Sequence, residues 1–323
     1  MAPTTRATWR TPRRSLTYRG RACAEAARGA LPESSECADQ PIVYRGLCNP
    51  WPARHWTSQN LAAALPEVRI TQSLSGAFPR DLATDAQCPT QQMPMRELLQ
   101  RIAKRSHPAE EAKDPFLYCH GAVLPESLKV DCPLPSTLAM QKVVARQSLW
   151  ISGAGACSPL HYDLPNVLLC QLRGRKRIYL FSPAHHDTIK PRGSCFPGLT
   201  AQERIAQTRR AALAGVVSDG QYVELSPGDA LLMPSGWWHE VESLADEDVG
   251  GSSHGGELDG CVISVGINWP QISDAIPSFA QWKDHVRQYP ILTQGAVLAE
   301  FYGADKVAKM PGWEQLRDLS VFA

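Results

Sequence analysis

The sequence predicts a mainly β domain, a barrel or sandwich with helices packed around it, and three observations carry that prediction. Between Ser148 and Trp269, short apolar runs recur at close spacing, each broken by Gly or Pro. The segments on either side change to helical periodicity. A chain of 323 residues, 43% hydrophobic and 20% charged, can bury a core of the size such a domain needs.

Taken in order, Arg6, Arg10, Arg13, Arg14, Arg19 and Arg21 precede the first acid, Glu25, among Thr, Ser and Ala. Residues 1–38 therefore read as a basic extension, either an organelle transit peptide or an unstructured tail. Folded structure is expected from about Pro41. The stretch to Pro135 mixes a strand at Ile42 to Tyr44, a tryptophan-bearing turn at Asn49 to Trp56 and an amphipathic helix at Met95 to Lys104. The strand-rich part then runs through SLWISG, NVLLCQL, KRIYLFSP, QYVELSPGDALLMP, HEVESL and CVISVGINW. After it, Phe279, Trp282 and Val286 fall at i, i+3 and i+7, predicting a helical tail packed on the barrel or on a second subunit. Three regions are expected: the extension 1–38, a domain 39–272 and the helical region 273–323.

Charge and composition exclude more than they identify. Lys and Arg number 33 against 32 Asp and Glu, so the global field advertises no polyanionic partner. No stretch approaches the roughly 18 apolar residues of a membrane-spanning helix, and no apolar block follows the basic N-terminus to make a secretory signal. The expectation is an intracellular protein without a membrane partner, in cytoplasm or nucleus, or in mitochondria or another organelle if the Arg-rich segment is a targeting signal. Ten cysteines stand singly with no C-x-x-C pair, which reads as reduced, mostly buried thiols. Cys157 and Cys170, close to the residues discussed next, are given no chemistry. There is no internal repeat and no Gly-rich phosphate loop.

The candidate chemistry lies in SPLHYDLPNVLLCQLRGRKRIYLFSP, Ser158 to Pro183. In a strand, residues two apart share a face, so His161 and Asp163 offer an imidazole and a carboxylate to one point while Tyr162 turns away. A third ligand must come from another strand, and His239 sits in GDALLMPSGWWHEVES, after a turn at Pro227 to Asp229. Two histidines and one carboxylate on one face of a metal leave positions open for substrate and oxygen, as non-haem Fe(II) oxygenases require. A bare H-x-D is a weak signal. A second one, His185 to Asp187, reads as a solvated turn, and without context a hydrogen-bonded structural pair is the better account of His161 and Asp163.

The run H-Y-D, then L-L-C-Q-L-R-G-R-K-R-I-Y-L-F-S-P, then G-D-A-L-L-M-P-S-G-W-W-H resembles the cupin-like branch of the Jumonji-C dioxygenases. Members of that family hydroxylate an asparagine of hypoxia-inducible factor, an arginine, or wybutosine in tRNA. The segment PIVYRGLCNPWPARHWT also resembles the family's opening segment, so the similarity extends from about Pro41 to Trp269. The resemblance implies a double-stranded β-helix of the jelly-roll type, with Fe(II) at His161, Asp163 and His239. Its implied co-substrates are 2-oxoglutarate and O2, with succinate and CO2 released. Lys176, fifteen residues after His161, stands where the family places the lysine that pairs with the distal carboxylate of 2-oxoglutarate. A buried dicarboxylate needs such a cation, because an unpaired charge inside a barrel costs several kcal/mol. Arg175 and Arg177 read as solvent-facing hairpin charges. Ser158 matches a family hydroxyl that helps hold the same carboxylate, although a strand-edge serine is as good an account. Tyr118 and His120, in FLYCHGAVLPESL, match a segment that runs along the family's substrate groove; the alternatives are a core aromatic and a hydrogen-bonded histidine. Trp237 and Trp238 read first as barrel packing, with Trp238 also a candidate for substrate contact.

The sequence departs from its relatives in two places. Where they carry Asn six residues after the first histidine, this chain has Val167, with Asn166 one earlier. Where they carry Asn or Ser in the last strand, it has Gly266, with Asn268 close by. No role is carried onto Gly266 or Asn268. The loop LADEDVGGSSHGGELDG reads as a Gly- and acid-rich insertion that covers the site's mouth or is disordered, and its His254 is not expected to bind metal. The activity implied is hydroxylation of a protein side chain, with a protein or peptide substrate and RNA as the other possibility. The alternatives are N-methyl-lysine demethylation, tRNA-base hydroxylation, a zinc or manganese cupin, and a catalytically silent cupin-like binding protein. A homodimer through the C-terminal helices is a further expectation from the resemblance.

Overall fold

The computed structural model describes residues 21–25, 40–74, 76, 78, 89–105, 114–134, 146–163, 165–185, 220–244 and 258–269. The expected helical tail at 273–323, most of residues 1–38, and the loop residues 245–257 with His254 lie outside the described residues. In chain order the strands are β1 (Arg21–Ala22), β2 (Ala24–Glu25), β3 (Ile42–Tyr44), β4 (Glu67–Ser73), β5 (Thr90–Pro94), β6 (Phe116–Val123) and β7 (Arg146–Gly153). They continue with β8 (Cys157–Tyr162), β9 (Asn166–Arg173), β10 (Arg175–Phe181), β11 (Gln221–Leu225), β12 (Ala230–Met233), β13 (Trp238–Leu244) and β14 (Cys261–Trp269). Helices α1 (Ser58–Ala64), α2 (Met95–Arg105) and α3 (Glu126–Lys129) lie among the early strands, with a short 3-10 turn at Pro52–His55.

Two sheets form. The smaller runs β1-β11-β10-β13-β8 and the larger β2-β3-β12-β9-β14-β7-β6-β4-β5, antiparallel except where β1 and β2 join β11 and β3. They face each other as a jelly roll, because one apolar cluster draws on both. Ile178, Leu180, Val223, Leu225 and Val241 come from the small sheet, and Val43, Val167, Leu169, Leu231 and Met233 from the large one. The residues of opposite parity on the large sheet, Leu168, Cys170, Leu172, Ile263, Val265 and Ile267, pack outward against Leu61 of α1 and Leu98, Leu99 and Ile102 of α2. A central strand covered on both faces reads as a continuous apolar run, which explains why NVLLCQL shows no alternation.

Local chemistry fixes the elements. Thr57 caps α1 reciprocally with Asn60: its Oγ1 accepts from the Asn60 backbone N–H at 3.1 Å while Asn60 Oδ1 accepts from the Thr57 N–H at 3.1 Å. In α2 the buried residues Met95, Leu98, Leu99 and Ile102 follow helical spacing, as the sequence predicts. Gly174 is the corner at which the chain leaves β9 in the large sheet and enters β10 in the small one. Its φ is 67°, and a Cβ there would lie 2.9 Å from Val262 Cγ2, so only glycine fits the turn.

One boundary is corrected. Residues 21–25, expected within the unstructured extension, pair with both sheets: Arg21 and Ala22 with Gln221 and Tyr222, Ala24 and Glu25 with Ile42 and Val43. The reason lies in packing that composition does not show, since Cys23 is buried in the inter-sheet cluster and Glu25 accepts from Arg45 Nε at 3.0 Å. The seven described cysteines, Cys23, Cys48, Cys119, Cys132, Cys157, Cys170 and Cys261, are all buried and free. Burial pushes the thiols of Cys23, Cys119 and Cys261 up to about 12, so they stay protonated.

The turn before β12 is held by Asp229, which is 8% exposed. Its carboxylate accepts from Arg45 Nη1 at 2.7 Å, the Gly46 N–H at 3.0 Å and the Ser226 N–H at 3.0 Å. Asp229→Ala leaves two backbone donors and a guanidinium without their acceptor and is expected to cost about 3 kcal/mol. Urea unfolding monitored by tryptophan fluorescence measures it as a lowered midpoint with an unchanged slope; a loss below about 0.5 kcal/mol would be a surface-like response and contradict this account.

Candidate metal centre

His161 and His239 stand directly opposite each other in the β8–β13 ladder. Their ring centroids are 4.2 Å apart, tilted by 56°. Asp163 follows the end of β8, and its Oδ2 lies 3.7 Å from His239 Nε2. One ligand atom from each of the three residues lies within 4.8 Å of the others. Bonds of about 2.1 Å to a shared cation are therefore within reach of small side-chain adjustments. Among the described residues, this is the one group of three or more His, Cys, Asp or Glu gathered in this way.

Backbone contacts set the geometry. The Asp163 carbonyl accepts from the Gly236 N–H at 2.8 Å, and Asn166 Oδ1 accepts from the Ser235 N–H at 2.9 Å. The loop that carries the carboxylate is thus stapled to the turn that leads into His239. Asn166 is fully buried at the start of β9 and points to this turn, whereas Val167, its neighbour of opposite parity, lines the pocket. His239 Nδ1 is 2.9 Å from the Trp237 carbonyl oxygen. A carbonyl only accepts, so Nδ1 carries the proton and Nε2 keeps its lone pair toward Asp163. That is the tautomer a metal ligand needs. His239 is itself buried.

The pocket around this group lies between the sheets and holds a small cavity of about 50 Å³. Ser158, His161, Asp163, Lys176, His239 and Val241 line it from the small sheet and its loop. Tyr118, His120, Trp150, Val167, Leu169, Met233 and Asn268 line it from the large sheet. Ser158 and His161 are an odd number of residues apart, yet both face inward. The ladder shifts register between His239 and Val241, which pair with His161 and Ser158, so a bulge near Leu160 restores the parity.

Lys176 is 2% exposed, lines the same pocket and, among the described residues, makes no hydrogen bond or ion pair. Desolvation by burial lowers its pKa from 10.5 to about 7. In the β10–β13 register Lys176 faces Ser243 while Leu180 faces His239. Four residues at about 3.3 Å each separate these levels by about 13 Å, a gap that a lysine side chain and a short diacid together can span. Arg175 and Arg177, on the other face of β10, pair with Glu224 at 3.3 and 2.6 Å.

Not every candidate joins the pocket. Trp238, a possible substrate contact from the sequence, is corrected: it points to the outer face of the small sheet, packed against Tyr162 and Phe181. Its ring meets that of Tyr162 at 4.9 Å and 70°. Strand alternation is the cause, because His239 faces in and its neighbour must face out. Tyr118 and His120 do lie in the pocket, ring centroids 3.9 Å apart, with Trp150 5.8 Å from His120. Trp150 was not singled out from the sequence. The signal for it was the register of SLWISG, in which Leu149 and Ile151 pack outward and Trp150 faces in.

Comparison with known proteins fits this arrangement. The cupin-like domain family matches residues 30–275. The chain is 32% identical over 216 residues to Jumonji C domain-containing protein 5 of Drosophila melanogaster, covering 64% of this chain and 53% of that protein. It is 28% identical over 235 residues to HSPB1-associated protein 1 of Bos taurus, covering 64% and 46%. It is 25% identical over 212 residues to lysine-specific demethylase 8 of Xenopus tropicalis, covering 64% and 46%. The chain thus spans about half the length of these curated relatives.

Two outcomes follow. A divalent ion that binds only the folded chain raises its stability by mass action, so Mn(II) or Zn(II) at about 100 times its dissociation constant should add about 2.7 kcal/mol. Differential scanning calorimetry should show this for the wild type and lose it for His161→Ala; an equal rise in both would place the ion elsewhere. Lys176 carries the second. Its folded pKa is depressed, so between pH 7 and 10.5 the folded chain binds fewer protons than the unfolded one, and stability rises with pH. The penalty is complete below pH 7. Lys176→Met should therefore stabilise the ligand-free chain, most strongly at pH 6, with the gain shrinking by about 1.4 kcal/mol per pH unit above pH 7. A pH-independent gain in urea midpoints would contradict it.

Proposed function

The chain belongs to the cupin-like domain family of the Jumonji-C type, and on that premise we propose that it is an Fe(II)- and 2-oxoglutarate-dependent dioxygenase that hydroxylates a protein side chain. The observation that carries this reading is Lys176, a buried lysine amine with no counter-charge among the described residues, in the pocket that also holds two imidazoles and a carboxylate. Its positive charge is costly unless a ligand neutralises it, and an anionic co-substrate does so.

In this reading His161, Asp163 and His239 hold Fe(II) on one face, a donor set that suits this metal and leaves positions open. Lys176 takes the distal carboxylate of 2-oxoglutarate, and Ser158 adds a hydroxyl beside it. Iron and 2-oxoglutarate would together supply, with O2, the oxidising power for C–H hydroxylation, with succinate and CO2 as by-products. The chain's own residues do the rest. Val167, Leu169, Met233 and Val241 keep the pocket walls apolar and exclude water. The proton held on His239 Nδ1 by the Trp237 carbonyl keeps the opposite nitrogen available. Tyr118 and His120, their rings tilted by 58°, offer an aromatic corner for the incoming side chain. Residues 39–272 form the catalytic unit in this proposal, supported by a family match over 30–275.

A protein substrate is favoured because the relatives include a lysine-specific demethylase and a protein named for its association with HSPB1. The first of these names favours N-methyl-lysine demethylation as the second reading; formaldehyde release would mark it. A catalytically silent scaffold is disfavoured by the intact triad and by the cost of keeping Lys176 buried.

The test is succinate release from 2-oxoglutarate with Fe(II), assayed with protein, peptide and RNA fractions. Wild-type chain is expected to turn over in a protein or peptide fraction and His239→Ala to fall at least about a hundredfold, as removal of a metal ligand should. Lys176→Met is expected to raise the 2-oxoglutarate KM about a hundredfold, the worth of a charge-assisted hydrogen bond of about 3 kcal/mol. Equal turnover by wild type and His239→Ala would refute the assignment.

A further inference from the structure

Asn268 lies near the end of β14, and its Oδ1 is buried without a hydrogen-bond partner among the described residues. The residue lines the metal pocket. Trp150 lines the same wall from β7, and its indole N–H makes no hydrogen bond with the described residues. Gly266 lies between them on the inward face. An ideal Cβ there would sit 3.0 Å from Trp150 Nε1 and 3.5 Å from Asn268 Oδ1, so both polar atoms close on the space that a side chain at 266 would fill. A buried carbonyl oxygen left without a donor costs about 1–3 kcal/mol. Such an orphan inside a pocket marks a place for a ligand donor.

Register puts Asn268 at the metal end of the pocket. Asn268 pairs with Val167, seven residues before the Gly174 corner, and His239 pairs with Leu180, six residues after it. Lys176 lies only two residues after the corner. About five residues, or about 16 Å of strand, separate the level of Asn268 from that of Lys176. Trp150 pairs with Ser264, nearer the corner, and its indole reaches Gly266 from that side.

One donor and one acceptor, both facing the space at Gly266, complement a primary carboxamide, whose carbonyl oxygen and syn N–H point the same way. A guanidinium has donors only and would leave the indole N–H unused. A ketone or ester would leave Asn268 Oδ1 unused. Resting on the proposed reading of the site as a hydroxylase, we infer that Trp150 Nε1 and Asn268 Oδ1, with the gap at Gly266 between them, form a subsite for an amide group of the prime substrate. Trp150 donates to the amide carbonyl and Asn268 accepts its N–H. Asn268 is a specificity residue here, and the amide is a side-chain carboxamide, because a trans peptide bond points its C=O and N–H in opposite directions.

The test uses the 15N-labelled chain loaded with diamagnetic Zn(II) and 2-oxoglutarate, titrated with acetamide, N-methylacetamide, acetone and methylguanidinium. The indole resonance of Trp150, identified by its loss in Trp150→Phe, should shift saturably with an amide. At least one amide should bind about fivefold more tightly than acetone or methylguanidinium, the factor expected for one added hydrogen bond. Acetamide should be preferred to N-methylacetamide, whose C=O and N–H are anti; the reverse preference would overturn the carboxamide subsite. Asn268→Leu should remove the preference while keeping the thermal shift caused by Zn(II), and Asn268→Asp, which keeps an oxygen acceptor, should retain it. If Asn268→Leu does not fold, Gly266→Ala serves: its methyl, 3.0 Å from the indole nitrogen, should move the free Trp150 resonance and block the amide shift. No saturable shift with either amide, equal binding of acetone, or an undiminished preference in Asn268→Leu would overturn the subsite. Zn(II) supports no turnover, so a failed succinate assay and a failed amide titration are separate results.

Discussion

A lysine amine buried beneath a metal-ligand triad, with no carboxylate to meet it among the described residues, is the constraint that orders the rest of this molecule. Lys176 shares the inward face of β10 with Ile178 and Leu180. Burial there opposes folding, and it persists because the surrounding barrel is large and apolar enough to absorb the cost. Lys176 sits beside the Gly174 corner, and the triad lies toward the other end of the same cavity. A diacid that bridges cation and metal satisfies both ends at once.

The geometry rests on a rule of strands: successive side chains face opposite ways. On β13 it turns His239 to the pocket and Trp238 to the outer cluster; on β9 it turns Val167 inward and Leu168 to the helices. Where plain alternation would misdirect a ligand, the chain departs from it. The register shift in β8 brings Ser158 and His161 to one face, and the bond from Asn166 to Ser235 joins the Asp163 loop to the turn before His239.

Much of this was legible in the sequence, because strands and ligands are local signals. Strand β3 lies at Ile42–Tyr44 as expected, the helix predicted from Met95 to Lys104 is α2, and the apolar runs after Ser148 are strands. The H-x-D spacing and the distant His239 suffice to propose a metal, and the two sheets bring these residues together. What was hidden depends on pairing between distant segments. Nothing in residues 21–25 announces that Ala24 and Glu25 will lie along β3, since two-residue strands carry no periodicity. Asn268 and Trp150 are separated by more than a hundred residues, and their shared wall exists only through the β14–β7 ladder. Asn166, one residue before the position where relatives carry Asn, turns toward Ser235, and only pairing between distant segments reveals this.

The account stands most directly on a crystal structure of the chain with Mn(II) and 2-oxoglutarate. It predicts one Mn(II) bound by His161, Asp163 and His239, and the distal carboxylate within about 3 Å of Lys176 Nζ. Mn(II) bound away from His239, or a 2-oxoglutarate carboxylate met by another cation while Lys176 stays without a partner, would contradict it.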